Sequence, residues 1–175
     1  MKYFTLLLFA VCCFSTSFAQ GDDKEISIDG LGDFRFGSTW KEVHEHLVNY
    51  SATEDTKIFT HTENVIQATN LDFAGYRFNN FTFTFQKEEL YFITFGSLTD
   101  KKETIATAFD ELTHVFNNLY GEWSYKSIGY DNTLKVDSER LSWHGKEGAI
   151  LILSKYYIEK EGTALINIGA TKPIR

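Results

Sequence analysis

Cysteine occurs only twice in these 175 residues, and both copies, Cys12 and Cys13, lie close to the amino terminus. Proline occurs once, at Pro173, and basic side chains are outnumbered, with 17 Lys and Arg against 24 Asp and Glu. Each shortage excludes something. Without thiols beyond residue 13 there is neither a disulfide framework nor a C-x-x-C metal or redox site. Without a Pro- or Ser-rich stretch there is no linker, so residues 20–175 read as one domain. A formal net charge of −7 repels phosphate backbones. The densest basic pair, Lys101-Lys102, is followed at once by Glu103, so the basic stripe that nucleic acid requires is missing.

Long hydrophobic runs are also scarce. The longest spans Phe4 to Phe14, shorter than the roughly 20 residues that cross a bilayer. It follows Lys2 and leads into Ser17-Phe18-Ala19, which is the charge, length and small-residue pattern of a secretory signal peptide cleaved after Ala19. The expectation is a secreted or periplasmic chain starting at Gln20, with no stable membrane insertion once the leader is gone. Removing Lys2 leaves 16 basic against 24 acidic residues, a net of −8.

What is present is periodicity. In "STWKEVHEHLVNY", Trp40, Val43, Leu47 and Tyr50 recur at steps of three and four, and Thr39 with Glu42 forms a capping box. A second helix is expected from about Asp100 to Tyr120, with Ile105, Phe109, Leu112, Phe116 and Leu119 on one face, Asp100 and Glu103 at its start and Gly121 at its end. The segments "EISID", "FRF", "NFTFTF", "LYFITF", "RLSWH", "AILILSKYYI" and "TALINIG" have the β-branched and aromatic content of strands, and "KIFTHTE", "NVIQATNLDF" and "EWSYKSIGY" have less of it. Turns at Lys87-Glu88-Glu89, Lys146-Glu147-Gly148 and Lys160-Glu161-Gly162 separate strand pairs. The fold class is therefore α+β: an antiparallel sheet with two amphipathic helices packed mainly on one face. The motif Phe-Gly-Ser recurs at Phe36 and Phe95 and Lys-Glu at Lys87 and Lys146, both 59 residues apart. The helix faces align better at 62, which leaves a duplicated helix-then-strands unit open.

The run "FRFGSTWKEVHEHL" resembles the F-x-x-G-x-[ST]-x-x-E-V-x-x-x-L opening of small bacterial envelope domains of the BamE (SmpA) and β-lactamase-inhibitor-protein kind. In these, helices pack on one side of an antiparallel sheet. The resemblance covers Phe34 to Leu47 and the order of elements; the lipid-attachment Cys of the first group and the paired cysteines of the second are missing. It implies an interaction or assembly role without catalysis.

The local motifs of common enzymes are missing too: there is no G-x-S-x-G, no phosphate-binding loop and no H-E-x-x-H. "GLGDFRFG" runs into a strand and reads as a turn. His44 and His46 are two apart on a helix, about 200° around its axis, and cannot share a metal. His61 and His114 have no ligand neighbour at useful spacing. His144, beside Trp143 in a strand, is the one histidine with a candidate proton-shuttle or contact role, against a satisfied polar group in the sheet. "GYDNTLKVDSE" lacks the glycine and spacing of an EF-hand loop. No cofactor or metal is expected.

If the turns at Lys146 and Lys160 both hold three residues, Gly145 pairs with Ala149 and Glu159 with Thr163, and two sheet faces follow. One carries Ser142, His144, Ile150, Ile152, Ser154, Tyr156, Ile158, Ala164, Ile166 and Ile168, and reads as the helix-covered core. The other carries Trp143, Leu151, Leu153, Tyr157 and Leu165, too apolar for an ordinary solvated face. Those five are the candidate binding residues for a protein partner or for self-association, against the reading that a helix or the N-terminal segment covers this face too, since "AILIL" has the pattern of a strand buried on both sides. The functional expectation is a secreted or periplasmic, non-catalytic binding or assembly module presenting that aromatic-aliphatic surface. The alternative is a small secreted, glycan-directed hydrolase whose carboxylates converge only in the fold.

Overall fold

The computed structural model describes residues 26–51 and 56–174, so the leader read from residues 1–19 lies outside the described residues. The chain opens with a small hairpin, β1 (Gly30–Leu31) and β2 (Phe34–Arg35). Gly30 has φ +153, and a Cβ there would sit 2.0 Å from the Phe34 carbonyl oxygen, so only glycine lets these two backbones approach. Helix α1 (Trp40–Ser51) follows. Its capping box forms as the residues predict: the Thr39 N–H donates to Glu42 Oε2 at 2.7 Å, and the Glu42 N–H donates back to Thr39 Oγ1 at 3.3 Å.

The strands β3 (Lys57–Thr62), β4 (Val65–Thr69), β5 (Leu71–Phe73), β6 (Tyr76–Phe78), β7 (Asn80–Gln86) and β8 (Glu89–Thr99) come next. Helix α2 (Lys102–Tyr120) then precedes β9 (Tyr125–Asp131), β10 (Val136–His144), β11 (Ile150–Ile158) and β12 (Thr163–Thr171). The β1–β2 and β5–β6 pairs stand apart, and the remaining eight strands make one sheet in the order β3-β4-β7-β8-β12-β11-β10-β9. Every pairing in it is antiparallel. The α+β class is therefore correct. The order reads outward from β8 and β12, the last strands of two successive groups of elements that each begin with a helix.

Helix α2 buries Ile105, Phe109, Leu112 and Phe116, as its spacing predicts, whereas Leu119 is 66% exposed. Leu119 lies in the last turn of the helix. Asp100 does not cap this helix: the N-cap is Lys101, which makes no side-chain cap bond, and its N–H is taken by the Thr99 hydroxyl at the end of β8. Gly121 does end it, at φ +80, with its N–H bonded to the Asn117 carbonyl.

The core is aromatic at one end and aliphatic at the other. Phe34 packs on Phe83 and Phe81 on Phe95, each with ring centroids 4.4 Å apart, and Ile168, Leu151 and Leu153 have no exposed surface. Each such side chain contributes about 1.5–3 kcal/mol by leaving water. At the Lys87-Glu88 hairpin both residues have positive φ, +52 and +66, and Gln86 pairs directly with Glu89, so the turn is a two-residue type I′ built without glycine.

Candidate functional site

Strand register decides which side chains can meet anything. Trp143 pairs with Leu151, Leu151 with Ala170, Leu153 with Ile168, and Ile168 with Phe95. Directly paired residues share a face, so Trp143, Leu151 and Leu153 sit with the Phe95 core. Helix α2 lies over them. Phe116 meets the Trp143 ring edge-on at 5.4 Å, and the indole N–H donates to the Gly121 carbonyl at 2.9 Å and to Asn117 Oδ1 at 3.2 Å.

The five predicted binding residues therefore do not form one solvent-facing surface. Trp143, Leu151 and Leu153 are fully buried. Tyr157 is half-buried on the same side, with Lys102 Nζ 4.0 Å from its ring centroid. Leu165, which pairs with Tyr156, is on the opposite face. Two causes account for the inversion. First, "AILIL" is apolar on both faces of β11, so alternation there carries no orientation. Second, the turn after β11 holds four residues, Glu159 to Gly162, and Ile158 pairs with Thr163. The Lys146 turn is the three-residue loop expected, with the Gly145 N–H bonded to the Ala149 carbonyl. A slip of one residue at the second turn exchanges the faces of β12. The cue that could have oriented the sheet is in β10, where Ser142 and His144 alternate with Leu141 and Trp143.

Of the face assigned to the core, the β12 residues Ala164, Ile166 and Ile168 are buried as expected, whereas its β10 and β11 residues lie on the side that α2 leaves uncovered. The side chains of this uncovered face form rows across the strands. Ile150, Thr171, Phe92 and Thr84 are aligned in one row, and Tyr156, Leu165 and Leu98 in another. Between them run Ile152, Gly169, Thr94 and Thr82, then Ser154, Asn167, Gly96 and Asn80. Small polar groups thus occupy the middle and aliphatic or aromatic groups the flanks. Away from the hairpin tips, the four central strands put no charged side chain on this face. Arg140 enters it from β10 and donates to the Tyr156 hydroxyl at 3.2 Å.

His144 belongs to this face. Its Nε2 is 3.2 Å from the Ser142 hydroxyl, and burial lowers its pKa below the ordinary value. Both effects fit a neutral, hydrogen-bonded imidazole held in the sheet.

On the helix side, a groove of about 220 Å³ separates the start of α2 from β9 to β11, lined by Lys102, Ile105, Ile128, Glu139, Lys155 and Tyr157 among others. Small-molecule pockets are usually larger, about 300–1,000 Å³. Its central carboxylate is also occupied. Glu139 binds Lys126 at 2.6 Å and Lys155 at 2.8 Å. Burial pushes the Glu139 carboxyl up, but hydrogen bonds from both lysines and their charges outweigh this and hold it below the usual range. An ionised, doubly paired carboxylate is a poor proton donor. Lys155 Nζ also sits 4.3 Å from the Phe109 ring centroid. Among the described residues no group of three or more His, Cys, Asp or Glu could hold a metal ion, and no helix is long and apolar enough to cross a membrane. The uncovered face offers hydroxyl, amide, aliphatic and aromatic groups for non-covalent contact.

No protein-family model matches the chain, and neither curated proteins nor solved structures show a significant similarity to it.

Proposed function

We propose that this chain is a secreted or periplasmic, non-catalytic binding module that engages a protein partner through the uncovered face of its sheet. One observation carries the reading. Four central strands present an extended face that has no charge away from the turns, with Phe92, Ile150, Ile152, Tyr156 and Leu165 half-buried around Thr94, Ser154 and Asn167. A solvated antiparallel face would be mostly polar, and a broad surface without a deep cleft suits a protein better than a small ligand. No specific observation favours the hydrolase, because Glu139 is locked between two lysines.

In the same reading, both helices cover one side of the sheet, and the strand order β3-β4-β7-β8 against β12-β11-β10-β9 is what two copies of a helix-then-strands unit would make if joined through their last strands. This arrangement is in keeping with the resemblance to envelope assembly and inhibitor domains. The signal-peptide pattern of residues 1–19 supports the secreted or periplasmic part of the reading.

The test is co-purification from the native envelope, identified by mass spectrometry, with the natural chain compared against Ile152→Lys combined with Tyr156→Lys. The partner should be lost from the variant while far-ultraviolet circular dichroism is unchanged. Equal recovery by a folded variant contradicts the assignment of the face.

A further inference from the structure

The two edges of the sheet are protected differently. At β3 the pairing with β4 is broken by a bulge between Thr60 and Thr62, a device that twists an edge away from further pairing. At β9 nothing comparable exists. Its register against β10 runs without interruption from Tyr125 to Asp131, it contains no proline, and all seven of its residues are exposed. Of the large apolar side chains that the described residues leave exposed, six fall between residues 119 and 134: Leu119, Trp123, Tyr125, Ile128, Tyr130 and Leu134, with Ile128 at 72%. The one lysine that could guard this edge, Lys126, is drawn back over the sheet into the ion pair with Glu139 on β10.

We propose that β9 is a self-association edge, at which a second copy of this chain adds its own β9 antiparallel across a two-fold axis at Ile128. The sequence of the strand argues for a copy of itself as the occupant. Full overlap of the seven residues places Ile128 opposite Ile128 of the second copy, Lys126 opposite Tyr130, Ser127 opposite Gly129, and Tyr125 opposite Asp131. No like charges face each other. Phenol on carboxylate is a favourable cross-strand pair, and Lys126, held in its ion pair with Glu139, brings no like charge against the facing Tyr130. The chain as a whole carries −7, so two copies repel over most of their surfaces. The strand itself, with one Lys and one Asp, is neutral, which makes this edge the least penalised approach. Pairing satisfies the outward row of peptide groups on both copies and extends the sheet to sixteen strands, twice the eight of one chain.

Sedimentation velocity over a wide concentration range tests this, and it is independent of the uncovered face. The natural chain should shift from monomer to dimer as concentration rises. Ile128→Lys, at a position too exposed to matter for folding, should weaken association about tenfold or more by placing the lysine against its own copy. Ile128→Glu should do the same, and an equimolar mixture of the two variants should dimerise again, because only a register that faces residue 128 with itself restores an opposite-charge pair. Circular dichroism checks that both variants are folded. A natural chain that stays monomeric at all concentrations overturns the proposal, as does a mixture that fails to associate. A monomer whose outward β9 amides, those not bonded to β10, are protected from hydrogen exchange also overturns it, and assigns the edge to another segment of the same chain.

Discussion

Replacing Trp143 measures how completely the face beneath α2 is sealed. The indole has no exposed surface, it meets Phe116 at 5.4 Å, and it pairs with Leu151. Trp143→Ala should cost about 3–5 kcal/mol in lost transfer energy and cavity formation. The orphaned Gly121 and Asn117 acceptors add about 1 kcal/mol, because the indole N–H closes the end of α2. Against a total stability of about 5–15 kcal/mol for a domain of this size, that is a large fraction. Trp143→Phe keeps most of the packing and loses the N–H, so it should cost about 1–2 kcal/mol. Trp143→Lys combined with Leu151→Lys should not fold. Guanidinium titration followed by circular dichroism gives each value. A cost below about 0.5 kcal/mol for Trp143→Ala, the range of ordinary surface positions, would refute the burial of this face.

Leu112→Ala should cost about 2–5 kcal/mol and Leu119→Ala little, since the first is fully buried and the second 66% exposed; similar values from denaturant titration would show that the helix face is misplaced. Glu88→Gly should stabilise the chain by about 0.5–1 kcal/mol, because Glu88 holds φ +66 in a turn that glycine adopts without strain; a lower midpoint would count against the type I′ turn. His144, whose folded pKa is depressed by burial, binds a proton more readily in the unfolded chain. Its contribution is therefore fully present above about pH 6.5 and is lost as the pH falls through the folded value. Thermal melts between pH 7.5 and 5 should fall less for His144→Gln than for the natural chain, and parallel curves would contradict the cause.

The legible parts of this fold are those governed by one period and one cap. The step of three and four in α1 and the reciprocal Thr39–Glu42 bonds are both written into adjacent residues, as is the buried stripe from Ile105 to Phe116. The Asp100 cap does not form because the helix starts one residue later, with Lys101 at the N-cap and its N–H on the Thr99 hydroxyl. The sheet was legible as strands and turns but not as faces. In β11 both faces are apolar, and the length of the turn at Glu159 depends on which residue closes the ladder, a choice made by β12 pairing with β8. The strands that do alternate are β7, with Phe81, Phe83 and Phe85 inward, and the end of β10, with Ser142 and His144 on the opposite face from Leu141 and Trp143. Without that anchor, four of the five candidate contact residues, Trp143, Leu151, Leu153 and Tyr157, fall on the covered side and only Leu165 on the open one.

The central claim is that partner contact occurs on the uncovered face. Beyond residue 13 the chain has no cysteine, so a single introduced thiol can carry a photo-crosslinker. Thr94→Cys or Asn167→Cys places it in the middle of that face, and Glu103→Cys places it on the exposed side of α2. With the co-purified partner, the account predicts crosslinked product from Thr94 and Asn167 and none from Glu103. Product from Glu103 alone would contradict it.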